Sequence, residues 1–202
     1  FVNKFYSLGY NVLAADARAH GDSEGTKIGM GWPERFDVIE WIKLIISWDS
    51  NAQIILHGVS MGAATVLMAS GEELPENVKA IIADCGYTSE WDEFKCEANA
   101  LHIPWFPVLN AASVMSRLRD GYDFKQASAL EQVKQSRIPT LFIHGSDDEL
   151  VPYSMLDKLY SAAACEKECL TVDGAGHALS SSVEPELYWN TVESFIDKYL
   201  EK

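Results

Sequence analysis

Apolar residues recur along this chain in two rhythms, and their alternation predicts a layered α/β architecture. Short, apolar, β-branched runs at 52–59, 78–84, 139–145 and 168–172 have turn-forming residues around them and read as strands. A further run at 10–16 follows Gly9 and reads the same way. Between the runs the apolar period lengthens to that of a helix at 32–48, 61–70, 153–164 and 185–200. In 32–48 the apolar positions are Phe36, Ile39, Trp41, Ile42, Leu44 and Ile45, with Pro33 near the start. Residues 1–8 read as the end of an amphipathic helix that Gly9 caps. Strands separated by helices of this length require right-handed crossovers. The expected fold class is therefore α/β, a mostly parallel sheet flanked by helices.

From 87 to about 130 the rhythm breaks. Aromatics and prolines crowd together in Leu101-His102-Ile103-Pro104-Trp105-Phe106-Pro107-Val108-Leu109, with short helical segments on either side. This is too long for a simple connection, and such insertions usually cover or form a site. The expectation is one domain over 1–202 with a short helical lid at about 87–130.

Composition changes this picture little. A chain of 202 residues can bury about 70% of its unfolded surface as a single domain. The net charge of −14 argues against nucleic acid, whose phosphates it would repel. No apolar run reaches the ~18–20 residues of a bilayer span, so no membrane span is expected in this segment. A cytoplasmic location is favoured, with an N-terminal signal or anchor left open because the chain does not begin with Met. Cys85, Cys96, Cys165 and Cys169 are too few and too irregular for a disulfide framework. Core thiols are the default, and bridges 85–96 or 165–169 stay open.

The richest stretch is Ile54-Ile55-Leu56-His57-Gly58-Val59-Ser60-Met61-Gly62-Ala63-Ala64. A strand stops at a glycine, presents one serine, passes a second glycine and enters small helix formers. G-x-S-x-G in that context is a nucleophile elbow, whose strained turn lifts the serine hydroxyl out of the sheet. A Cβ at Gly58 or Gly62 is expected to collide with the crossing backbone. A serine needs a base, and the base needs an orienting carboxylate. In parallel sheets such groups gather at the carboxyl ends of strands. Gly145-Ser146-Asp147-Asp148 follows one late strand, and Gly176-His177 follows the next.

These motifs, with Asp16-Ala17-Arg18-Ala19-His20-Gly21-Asp22-Ser23-Glu24-Gly25 and Val151-Pro152, resemble the α/β-hydrolase-fold serine hydrolases. The chain is similar to bacterial esterase-like members with a short helical lid, over nearly its whole length. The resemblance implies Ser60 as nucleophile, His177 as base and acid, and Asp148 as orienting carboxylate, with Asp147 its rival. It also implies the backbone N–H of Met61 as an oxyanion donor, an acyl-ester substrate, and neither metal nor cofactor. Trp105 and Phe106 wall an acyl pocket or anchor the lid, and His102 touches substrate or lies exposed. His57 and His144 are expected to be packed and hydrogen-bonded, His20 to be structural, and Asp16 and Arg18 to brace their loop. A peptidase or thioesterase with the same three residues, or a non-catalytic module on this scaffold, are the alternatives.

In the family a strand and an oxyanion loop precede the helix at Phe1. That strand lies between those at 10–16 and 52–59. The expectation is thus a C-terminal portion of a longer protein, N-terminally incomplete, whose sheet is completed by an upstream segment or partner chain, or in which the two strands pair directly. Losing one oxyanion donor costs ~10²–10³ in turnover.

Overall fold

The computed structural model describes residues 1–200, so the expected domain end at 202 lies outside the described residues. Strands β1 (Ile54–Val59), β2 (Val78–Asp84), β3 (Thr140–Gly145) and β4 (Lys167–Val172) form one sheet in the order β1-β2-β3-β4, every neighbour parallel. Helices α1 (Val2–Ser7), α2 (Glu34–Trp48), α3 (Met61–Ala69), α4 (Glu90–Ala100), α5 (Trp105–Asp120), α6 (Ala129–Val133), α7 (Ser154–Ala162), α8 (Ser180–Val183) and α9 (Pro185–Ile196) account for the crossovers and the insertion.

Strand residues alternate between two cores, as a pleat requires. One face packs Leu56, Ile81, Ala83 and Phe142 against Ile42 of α2, Leu67 of α3, Val133 of α6 and Leu156 of α7. The other packs Ala80, Ile82, Leu141 and Ile143 against Tyr188, Val192 and Phe195 of α9. Being covered on both sides, β3 is buried along its whole length.

The run 10–16 corrects the sequence expectation. It is not a strand and leaves Val12 and Leu13 exposed. A strand is defined by its ladder, and among the described residues nothing pairs with this run; β1 is the sheet's edge, so the two do not pair directly. Asp16 instead nucleates a turn, accepting from the backbone N–H of Asp22 at 3.0 Å, while its carbonyl takes the Ser23 hydroxyl at 2.8 Å. Helix α2 also departs from expectation. Of its six apolar positions only Ile42 is fully buried, and Phe36, Trp41 and Leu44 are exposed.

Candidate active site

The carboxyl ends of the four parallel strands open onto one rim. Ser60 stands between β1 and α3 at φ 55°, ψ −118°, a region that L-residues occupy only under constraint. Its N–H is held by the carbonyl of Asp84 at 2.8 Å. A Cβ on Gly58 would lie 2.2 Å from the carbonyl oxygen of Gly62, so only glycine lets α3 cross here. The expectation for Gly62 is corrected: a Cβ there meets nothing within 4 Å. The Met61 N–H is the first donor of α3, where helix geometry supplies no partner.

Three side chains from separate loops join at this rim. The Ser60 Oγ lies 2.8 Å from His177 Nε2, and His177 Nδ1 lies 2.8 Å from Asp148 Oδ2. Asp147 points elsewhere, accepting from the Ser146 hydroxyl in an exposed turn. The other oxygen of Asp148 accepts from the N–H groups of Leu150 (3.0 Å) and Val151 (2.9 Å). Burial alone would raise the pKa of this carboxyl. Hydrogen bonds from His144, His177 and the Val151 N–H outweigh it and hold the group well below the usual carboxylate range. The hydrogen bond to Asp148 in turn raises the pKa of His177 against the opposing effect of burial, and the charges of Asp148, Glu93 and Asp84 add to it.

His144 is packed and hydrogen-bonded as expected, whereas its place behind Asp148 and the nearness of Asp84, Cys85 and Glu93 escaped the sequence reading. His144 Nε2 lies 2.9 Å from the Val151 carbonyl and 3.2 Å from Asp148 Oδ2. Both of these only accept, so Nε2 carries the proton and the ring braces the carboxylate from below. Asp84, at the end of β2, is fully buried, and burial pushes its pKa up to about 6 against the opposing effect of the Tyr188 and Ser180 hydroxyls. Cys85 follows it at φ 49°. Glu93 of α4 is buried, and its charge is felt at His177 and Asp148. The signal for Asp84 and His144 was their position at strand ends; nothing local marks Glu93.

Among the described residues no hydrogen bond joins the remaining candidates to this relay. Trp105 meets both Phe106 and Trp91 edge-on, and Phe106 is exposed. His102 is exposed in a turn at φ 57°. His57 packs on Phe1 and Phe5, 3.4 Å from the Tyr188 hydroxyl, and burial lowers its pKa to about 4. His20 Nδ1 bonds the Arg18 carbonyl, and the Arg18 guanidinium forks onto Asp37 at 2.6 and 2.8 Å, bracing the loop. All four cysteines are free thiols, Cys169 exposed. Cys85, Asp148 and His177 bring one potential metal-ligand atom each within 4.8 Å of one another. Two of those groups already bond each other, and burial pushes the thiol up to about 12, away from the thiolate a metal takes.

Comparison with known proteins places this architecture. The chain is 31% identical to the uncharacterized protein YqkD of Bacillus subtilis (strain 168) over 98% of its own length and 65% of that protein's. It is 32% identical to the lysophosphatidylserine lipase ABHD12 of Macaca fascicularis over 78% of this chain and 39% of the lipase. It therefore spans about two-thirds or less of these relatives. The esterase Pf2001 of Pyrococcus furiosus superposes with a TM-score of 0.75 at 25% identity, covering 98% of this chain and 75% of the esterase. No helix among the described residues is long and apolar enough to cross a membrane. Residues 4–202 match the prolyl oligopeptidase family, and with the parallel sheet and the elbow turn in agreement the chain belongs to that family, on the α/β-hydrolase fold.

Proposed function

We propose that the chain cleaves carboxylic esters through an acyl-enzyme, with Ser60 as nucleophile, His177 as general base and acid, and Asp148 as orienting carboxylate. The relay from Ser60 Oγ through both nitrogens of His177 to Asp148, each step 2.8 Å, carries this reading. Asp148 accepts only, so Nδ1 donates to it and Nε2 is left to take the serine proton. Ser60 Oγ bonds to the carbonyl carbon as its proton passes to Nε2. The tetrahedral adduct collapses, the C–O bond to the alcohol breaks, and His177 returns the proton to the leaving oxygen. Water repeats the sequence and frees the acid. The Met61 N–H and the positive end of α3 favour the oxyanion. These steps call on no metal or cofactor, and the partner is a small-molecule acyl ester.

Esters are favoured because the Pyrococcus furiosus neighbour is an esterase and the macaque relative a lipase. Amide cleavage is the second reading, favoured by the family's name. A fluorophosphonate probe is expected to label the protein, and Ser60→Ala to abolish labelling and lower turnover by about 10⁵–10⁶. Matched ester and amide substrates then separate the two readings. Absence of labelling, or labelling that survives Ser60→Ala, overturns the nucleophile assignment; no labelling at all favours a binding module.

A further inference from the structure

We propose that Asp84 is a positioning residue for His177: from the end of β2 its buried carboxyl anchors the far end of the loop that carries the imidazole. The inference rests on His177 being the base of the proposed hydrolysis. Backbone strain points to this corner of the rim. Among the described residues six that are not glycine have positive φ, and three of them meet here: Ser60 at 55°, Cys85 at 49° and Ala178 at 58°. An alanine in that region is held against its own preference, and such strain persists only where the surroundings over-determine it. Ala178 follows His177 directly, so whatever holds this residue also aims the imidazole. The backbone supplies one tie, from the Leu179 N–H to the Gly176 carbonyl at 3.1 Å. Ser180, the first residue of α8 and three after His177, is fully buried.

The turn at the end of β2 reaches every segment that carries the relay. The Asp84 carbonyl accepts from the Ser60 N–H at 2.8 Å, and the Cys85 N–H donates to the carbonyl of Ile143, two residues before β3 ends, at 2.8 Å. The Cys85 Sγ lies within 4.8 Å of a ring nitrogen of His177 and a carboxyl oxygen of Asp148. The Asp84 carboxyl itself faces the hydroxyls of Ser180 and of Tyr188 on α9. Asp84, Ser180 and Tyr188 are each shut away from solvent, so their polar atoms are left to satisfy one another. A carboxylate only accepts and both hydroxyls can donate, so one side chain collects two donors. Tyr188 is itself fixed, its hydroxyl 3.4 Å from His57 Nε2 and its ring edge-on to Trp189. Asp84 thus ties the His177 loop and α9 to the strand whose backbone holds the nucleophile. Being fully buried, it acts through His177 and does not reach a substrate.

Kinetics and proton NMR on the full chain test it. Asp84→Ala is expected to lower kcat for a short soluble ester about 10²-fold, the cost of a slightly misplaced base. KM should stay nearly unchanged, because the lost contact is not one with substrate. Ser180→Ala should lower kcat about tenfold. The double variant should be no slower than Asp84→Ala alone, since the two residues act through one contact. The Nδ1 proton of His177, bonded to Asp148, should give a downfield resonance in the parent that broadens or vanishes in both single variants. If Asp84→Ala does not fold, Ser180→Ala decides by the same two readouts. Parent-like kcat with an unaltered resonance in Ser180→Ala overturns the proposal, as do losses that add in the double variant or that fall on KM instead of kcat. A parent that turns over no ester fails the hydrolytic reading instead. Loss of the resonance in the variants then still supports the anchor, and its persistence overturns it.

Discussion

The strand-end rim and the insertion above it bury carboxyl groups with opposite results. Asp148 accepts from two backbone N–H groups and two imidazoles, and its pKa is held low despite burial. Glu90 and Glu93, on the first two turns of α4, are equally hidden, but each keeps a side-chain oxygen without a hydrogen-bond partner. Burial pushes their pKa values up to about 8 and about 7, and like charges nearby add to it. Burial acts in the same direction at all three sites. What decides whether the charge survives is the number of donors that reach it, and Asp148 has two imidazoles as well as the backbone N–H groups of its turn. Asp148 is thus the matched carboxyl, while burial raises the pKa of Asp84 at the neighbouring strand end as it does those of Glu90 and Glu93, and the insertion also turns apolar groups outward.

Among changes to the carboxyl groups, removing the rim's central acceptor should have the largest effect. Asp148→Asn is expected to lower ester turnover by about 10⁴, because an amide at that position lets His177 adopt the wrong tautomer. Asp147→Asn, one residue away in an exposed turn, should change it by less than a few-fold. If Asp147→Asn proves the more damaging, the acid has been misassigned.

The pH profile comes next in size. Protonated His177 cannot accept the serine proton, so kcat/KM should rise with pH through its pKa, which the bond to Asp148 places above the ordinary 6.5. In Asp148→Asn the acid limb should move to lower pH, and in Glu93→Gln by a smaller step in the same direction, since both charges raise the His177 pKa. A limb that stays fixed in both variants would show that another group controls it.

The rim was legible in the sequence and the insertion was not, for a physical reason. Residues 54–64 announce a strand, a turn and a helix through local choices, and a serine between strand and helix has few other conformations available. His177 and Asp148 follow strands that are themselves legible, so their meeting follows from parallel topology. A strand such as 10–16, by contrast, needs a neighbour, and no residue within it records whether one is present. The Gly62 error came from treating both glycines of a motif alike when only Gly58 faces the crossing helix. In α5 the rhythm was broken, because which face turns inward depends on residues 122–124 returning beneath it, and Ser113 and Ser116 carry no sign of being buried.

The smallest effect tests the insertion's side of the contrast. The folded-state pKa of Glu90 is about 8 against 4.5 for the free side chain. Between those values the folded chain holds a proton that the unfolded chain has released. Stability from this group is therefore full at low pH and is lost as pH rises toward 8. Glu90→Gln carries no charge to bury, so its Tm should exceed the parent's by several degrees at pH 8.5 and match it near pH 5. At this chain length ~1 kcal/mol moves Tm by about 2–4 °C. Calorimetry at the two pH values reads the difference directly. A variant less stable than the parent at both would mean that the Glu90 carboxylate is held by donors as Asp148 is, and the distinction between rim and insertion would disappear.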